Sequence, residues 1–175
     1  ASNSNTNLVD NLIDEYELFR YLLNSSYFTD RFVQRGSAHL SNTFSAERIN
    51  NIVDSLANAI DLEMPRHINR WGEEGGISSM DSWENELDEI KQFAENRSTI
   101  VQNQIMDELS LEGLVQITVN VSPPGAGKIM VNDVPLLNEE GTGNYFKNKP
   151  LNIDAYALPG YRFVGWESIS DSSII

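Results

Sequence analysis

The sequence contains no cysteine. That absence excludes disulfides, thiolate zinc sites and a cysteine nucleophile, and leaves the compartment open. Positive charge is scarce: 12 Lys and Arg stand against 26 Asp and Glu, a formal net charge of -14. A nucleic-acid partner needs a basic face and an anionic lipid surface needs a polybasic one, so neither is expected. No apolar run approaches the roughly 20 residues that span a bilayer, so no membrane span is expected. The N-terminal Ala-Ser-Asn-Ser-Asn-Thr-Asn has neither the basic nor the apolar region of a signal peptide. Histidine is limited to His39 and His67. Glu63 lies four residues before His67, but a two-ligand fragment falls short of a metal site. No Gly-x-Ser-x-Gly elbow occurs, and nothing arranges two acids across a sugar cleft. No catalytic, cofactor-binding or metal-binding residue is expected.

What is present divides in two. From Leu8, apolar residues recur at three and four: Leu8, Val9, Leu12, Ile13, Tyr16, Phe19, Leu22 and Leu23 predict one helix with a wide stripe. Asn24-Ser25-Ser26 is a break and an N-cap cluster. A second helix follows through Tyr27, Phe28, Phe32, Val33 and Leu40, and Ser45 caps a third along Ile49, Val53, Leu56 and Ile60. Pro65 opens a short helix to Trp71, and Gly72 to Ser79 reads as a loop. Asp81 with Glu84 has capping-box spacing and starts a helix that either runs on or breaks near residues 96–98. Five to six helices in short-loop succession predict an antiparallel helical array.

At Leu111-Glu112-Gly113 the apolar period changes from 3.6 to 2. Val115, Ile117, Val119 and Val121 alternate with polar residues as a strand, Ile129 to Val131 is a second, Tyr145 and Phe146 begin a third, and Leu151 to Ala157 is a fourth. Glu140 to Asn144 reads as a polar loop, and Leu158-Pro159-Gly160 turns the chain into Tyr161-Arg162-Phe163-Val164-Gly165-Trp166. Gly165 suggests a bulge that swings Trp166 back as the pin of the module. The fold class is therefore α+β: a helical region, residues 1–111, followed by a small antiparallel β module, residues 112–175. Almost no linker joins them at Ser110 to Leu114, which predicts a fixed orientation.

The motifs carry a resemblance. Leu18 to Asn24, Phe44 to Arg48, Trp83 to Leu87 and above all the Met-Pro-x-His-x-x-Arg-Trp string, Met64 to Trp71, resemble the C-terminal part of bacterial CotH-like proteins, the spore-coat-protein-H kinase family. Val119 to Ile129 and Pro159 to Trp166 resemble the InlB-type repeat of extracellular proteins. The resemblance implies a cell-surface or spore-coat location and a kinase-like core upstream, as partner, with its nucleotide lysine and two acidic residues. No motif of that core appears, so no catalytic residue is carried over. It also implies a closing strand that Ser168 to Ile175 does not supply, so the β module is expected to be truncated with an open edge. The expected role is that of a C-terminal fragment: non-catalytic support for the core, with a spacer or adhesion module whose partners are surface or coat proteins or glycans. The alternatives are a direct contribution to kinase substrate or nucleotide contacts, and a carbohydrate-binding module.

Two clusters compete with plainer readings. Arg66, His67, Arg70 and Trp71 form a locally basic group, either a docking surface or a source of ion pairs to the acidic stretch Glu84 to Glu89. Tyr145 and Tyr156 are candidates for an aromatic surface, against the reading that the aromatics of so small a module are its core. Gly125-Ala126-Gly127-Lys128 imitates a phosphate-binding loop but lacks Gly at 122 and Ser or Thr at 129, and reads as a turn. Asp81, Glu84, Glu86, Asp88 and Glu89 read as a solvated face.

Overall fold

The computed structural model describes residues 6–168. It is α+β, with helices first and small antiparallel sheets after them. The first helix runs from Leu8 to Glu15 (α1) and the second from Glu17 to Leu22 (α2). One continuous helix was the expectation. Tyr16 is instead extended (φ -114°, ψ 94°), and the break separates two packing tasks. α1 buries Val9, while α2 sets Phe19 edge-on to Phe28 and Phe32, with centroids 6.0 and 5.1 Å away. A straight helix cannot turn both faces to different neighbours.

Helix α3 spans Ser26–Ala38, and Ser25 caps it by accepting from the Phe28 N–H, as the Asn-Ser-Ser cluster predicts. It continues into a π-turn, His39–Thr43. Helix α4 spans Ala46–Ile60 under a Ser45 cap. After a short 3₁₀ turn, α5 spans Met64–Gly75 with Pro65 in its first turn. It outruns the expected end at Trp71 because Gly76, at φ 89°, supplies the left-handed cap a few residues later. Helix α6 is unbroken over Met80–Glu108, 29 residues, so residues 96–98 do not interrupt it. Ser79 caps it by accepting from the Ser82 N–H, displacing the Asp81 cap read from sequence.

Strand β1 (Leu114–Asn120) pairs with β4 (Glu140–Phe146), Leu114 opposite Phe146 and Asn120 opposite Glu140. β2 (Gly127–Val131) lies between β3 (Val134–Pro135) and β5 (Ile153–Ala157). Asn132 and Asp133, both at positive φ, make the two-residue turn from β2 to β3 that matches strand twist. Glu140 to Asn144, expected as a loop, is strand. Its glycines are there because neighbours need the space: a Cβ on Gly143 would lie 2.7 Å from the Tyr145 ring, and one on Gly141 would lie 2.9 Å from Leu136. The Thr118 and Thr142 hydroxyls bond across the pair at 2.8 Å.

A further correction concerns residues 161–168, which form no strand. Trp166 is half exposed, its ring 5.4 Å from that of Phe163 and in none of the buried clusters, so it pins nothing. Pro159 and Gly160 (φ 93°) make a type II turn closed by the Tyr161 N–H on the Leu158 carbonyl. That twist splays a two-residue hairpin, so the chain leaves β5.

The β1–β4 pair is the middle layer. Successive residues of a strand face opposite sides, so Tyr145 joins Ile129, Val131 and Val134 in the inter-sheet core. Phe146 joins Val9, Val33 and Ile105 in the core under the helices. Polar side chains tie the free edge of β4 to the helices. Gln34, buried on α3, accepts from the Phe146 N–H and donates to the Phe146 and Lys149 carbonyls. Ser41 accepts from the Asn144 N–H, and Gln102 of α6 donates to the Asn144 carbonyl. Asn42 does the same beyond β3, donating to the Pro135 carbonyl at 2.6 Å and accepting from the Leu137 N–H at 3.3 Å. The π-turn presents Ser41 and Asn42 together to the sheets, a local register that a regular helix does not give.

Gln34→Ala leaves the buried N–H and C=O of Phe146 and the part-buried Lys149 carbonyl without this partner. It is expected to lower stability by about 2–4 kcal/mol, read from the urea midpoint.

Candidate functional site

The basic cluster sits on α5. Met64 is the buried anchor of that helix, and the side chains of Arg66, His67, Arg70 and Trp71 are exposed beyond it. Arg66 meets Glu63 one turn back at 3.2 Å, both side chains well solvated, a pair worth little to stability. The Arg70 guanidinium lies 4.9 Å from the centroid of its neighbour Trp71. Glu63, Arg66, His67, Asn69 and Arg70 line one shallow open cleft. Among the described residues no ion pair joins α5 to Glu84–Glu89, so the cluster keeps its charge on its own helix and toward solvent. The carboxylates of α6 are exposed as a solvated face.

The two tyrosines do not form one surface. Tyr156 is half exposed on the outer side of β5. Tyr145 is 5% exposed, because its position in β4 turns it into the inter-sheet core over Gly143. Burial raises its phenol above the usual value of 10.0. Gly125 (φ 80°) and the Ala126 N–H bond to the Pro123 carbonyl make residues 123–126 a turn, as expected. His39 bonds Thr43 at 3.1 Å, and burial, with Arg35 nearby, lowers its pKa and favours the neutral ring. Among the described residues no group of three or more His, Asp or Glu side chains is placed to hold a metal ion.

A second cleft, of about 190 Å³, was not anticipated. It opens where α6 diverges from the polar face of β1–β4. Ser98, Thr99 and Gln102 form one wall, Gln116, Thr142 and Asn144 the other, and Ser45 at the start of α4 closes it. The available signal was a glutamine inside an apolar helical stripe: Gln102 lies between Val101 and Ile105.

A family model described as CotH kinase protein matches residues 3–101. The chain belongs to this family. The matched CotH region covers α1 to α5 and most of α6, so it contains the whole basic cluster, and it ends before the strands. Tyr145 and Tyr156 lie outside it. Comparison with curated proteins and with solved structures finds no match. No helix among the described residues of this CotH family member is long and apolar enough to cross a membrane.

The buried phenol gives a pH signature. The folded pKa of Tyr145 lies above the unfolded one, so its contribution is fully present below pH 10.0 and lost as pH rises through the folded value. Alkaline urea titrations are expected to show stability falling above about pH 10, and Tyr145→Phe is expected to flatten that fall. Gly143→Ala forces the Tyr145 ring aside and is expected to cost about 1–3 kcal/mol in the same assay.

Proposed function

We propose that this chain is a non-catalytic, C-terminal part of a longer bacterial CotH-like protein. In this reading the helical residues 1–111 support a kinase-like core of the same polypeptide. The β residues 112–175 are an InlB-type repeat, acting as a spacer or adhesion module at the cell surface or spore coat. Its partners there are surface or coat proteins or glycans.

One observation carries the supporting role. Helix α4 has no fully buried residue. Ile49, Val53 and Ala57 turn toward α6, while Ile52, Leu56 and Ile60 form a second apolar ridge in solvent. The Asp54–Lys91 ion pair, 2.6 Å, closes one side of the α4–α6 seam. Helical geometry puts Ile52 and Leu56 on the other side, beside the exposed Ile90. Covering a large aliphatic side chain contributes roughly 1.5–3 kcal/mol, and an apolar ridge of this kind marks an interaction face. In this reading the body that covers it is a kinase-like core, a choice supported by the CotH family match over these helices. A second reading rests on Arg66, His67 and Arg70: exposed on the matched helices and unpaired with α6, they are suited to contact an anionic substrate or nucleotide.

The test is binding to a separately expressed CotH kinase core. The native chain is expected to bind, and Ile52→Asp with Leu56→Asp to abolish binding while leaving folding stability within about 0.5 kcal/mol. Absence of binding by the native chain overturns the supporting role. Thermal stabilisation of this chain alone by Mg-ATP, lost in Arg66→Ala with Arg70→Ala, would replace it with the second reading.

A further inference from the structure

The sheet edges of this protein are treated unequally. The free edge of β4 is capped by Gln34, Ser41 and Gln102, and the chain beyond β3 is capped by Asn42. The outer edge of β5 has no such cover. The Leu158 N–H bonds the Ala126 carbonyl and the Asn132 N–H bonds the Asn152 carbonyl, so the even-numbered residues of β5 face β2. Ile153, Ala155 and Ala157 therefore turn their N–H and C=O groups outward, and no partner meets them among the described residues. The edge carries no Pro, Lys or bulge to block pairing.

The segment that follows has the features of the missing strand. Tyr161, Phe163, Val164 and Trp166 are all half exposed or more, Val164 at 84%. Pro159 holds φ near -65° and so excludes both turn types that fit a two-residue hairpin, each of which needs positive φ at that position. The segment is thereby directed away from the β5 of its own chain. No such restriction applies to the β5 of another.

We infer that two copies of this chain associate by reciprocal exchange of residues 161–166, each segment adding as an antiparallel strand to the open edge of the other copy's β5. The side chains fit this use. Tyr161 and Phe163 lie over Ala157 and Ala155, small residues with room above them for rings. Arg162 falls opposite Tyr156 and diagonal to Asp154, a cation set against a ring and a carboxylate. The outer edge of β1 is also unpaired, but it is flanked by Gln116, Thr118 and Asn120 and offers the rings no comparable seat. The exchange is self-complementary and closes as a two-fold dimer.

Light scattering of the full chain across a concentration series tests this. A dimer mass is expected for the native chain. Phe163→Pro, a change at a half-exposed position that removes the ladder N–H opposite Ala155, is expected to give a monomer with an unchanged melting temperature. Because the sequence lacks cysteine, Ala155→Cys on one copy and Phe163→Cys on another, mixed and oxidised, are expected to give a covalent heterodimer. A native chain that stays monomeric overturns the inference. So does a Phe163→Pro chain that stays dimeric, or a dimer that fails to form the mixed disulfide.

Discussion

The structure depends on side-chain amides standing in for missing strands. A two-stranded pair such as β1–β4 exposes a row of unpaired backbone groups along each edge, and once helices cover it those groups lose water. Gln34 meets Phe146 with the donor and the acceptor of one carboxamide, as a neighbouring peptide group would. Asn42 repeats the device beyond β3, and Asn132 reaches the other way to the Gln34 carbonyl while accepting from the Asn152 N–H. Helix and sheet are thereby fixed in register before any apolar contact is considered. The apolar cores then follow from strand alternation, with Phe146 under the helices and Tyr145 between the sheets.

Charge contacts ring this junction without defining it. Arg31 and Asp133 meet at 2.7 Å, as do Lys149 and Asp30, tying α3 to the β2–β3 turn and to the chain after β4. The first pair is about half solvated, so it adjusts the fit more than it stabilises it. The distal helices α4 and α5 pack on α6 and on the 3₁₀ turn that joins them, and Ile52, Leu56, Ile60 and Trp71 remain largely in solvent. The CotH family match and the uncovered ridge fall on the same helices.

Local chemistry was readable where one residue decides the outcome. Ser25 and Ser45 cap helices where the sequence placed them, Pro65 lies in the first turn of its helix, and the period change near residue 111 separates helix from strand. The basic cluster was readable as a group because its four members lie within two turns of one helix. Its company was not: the expected ion pairs to the acidic stretch of α6 do not form, and nothing local says which way two helices face each other. Tyr145 and Tyr156 show the same limit, since both are aromatic residues in strands and only the layer arrangement buries one and exposes the other.

The sequence by itself determined the α+β class, the order of helices and strands, most caps and turns, and the family, because these follow from periodicity, from single-residue backbone preferences and from short motifs. The tertiary structure alone decided the strand at Glu140–Phe146 and the roles of Gln34, Asn42 and Gln102. Each of these depends on a partner more than twenty residues away, or on whether a neighbouring strand is there to receive a backbone group, and no local preference carries that information.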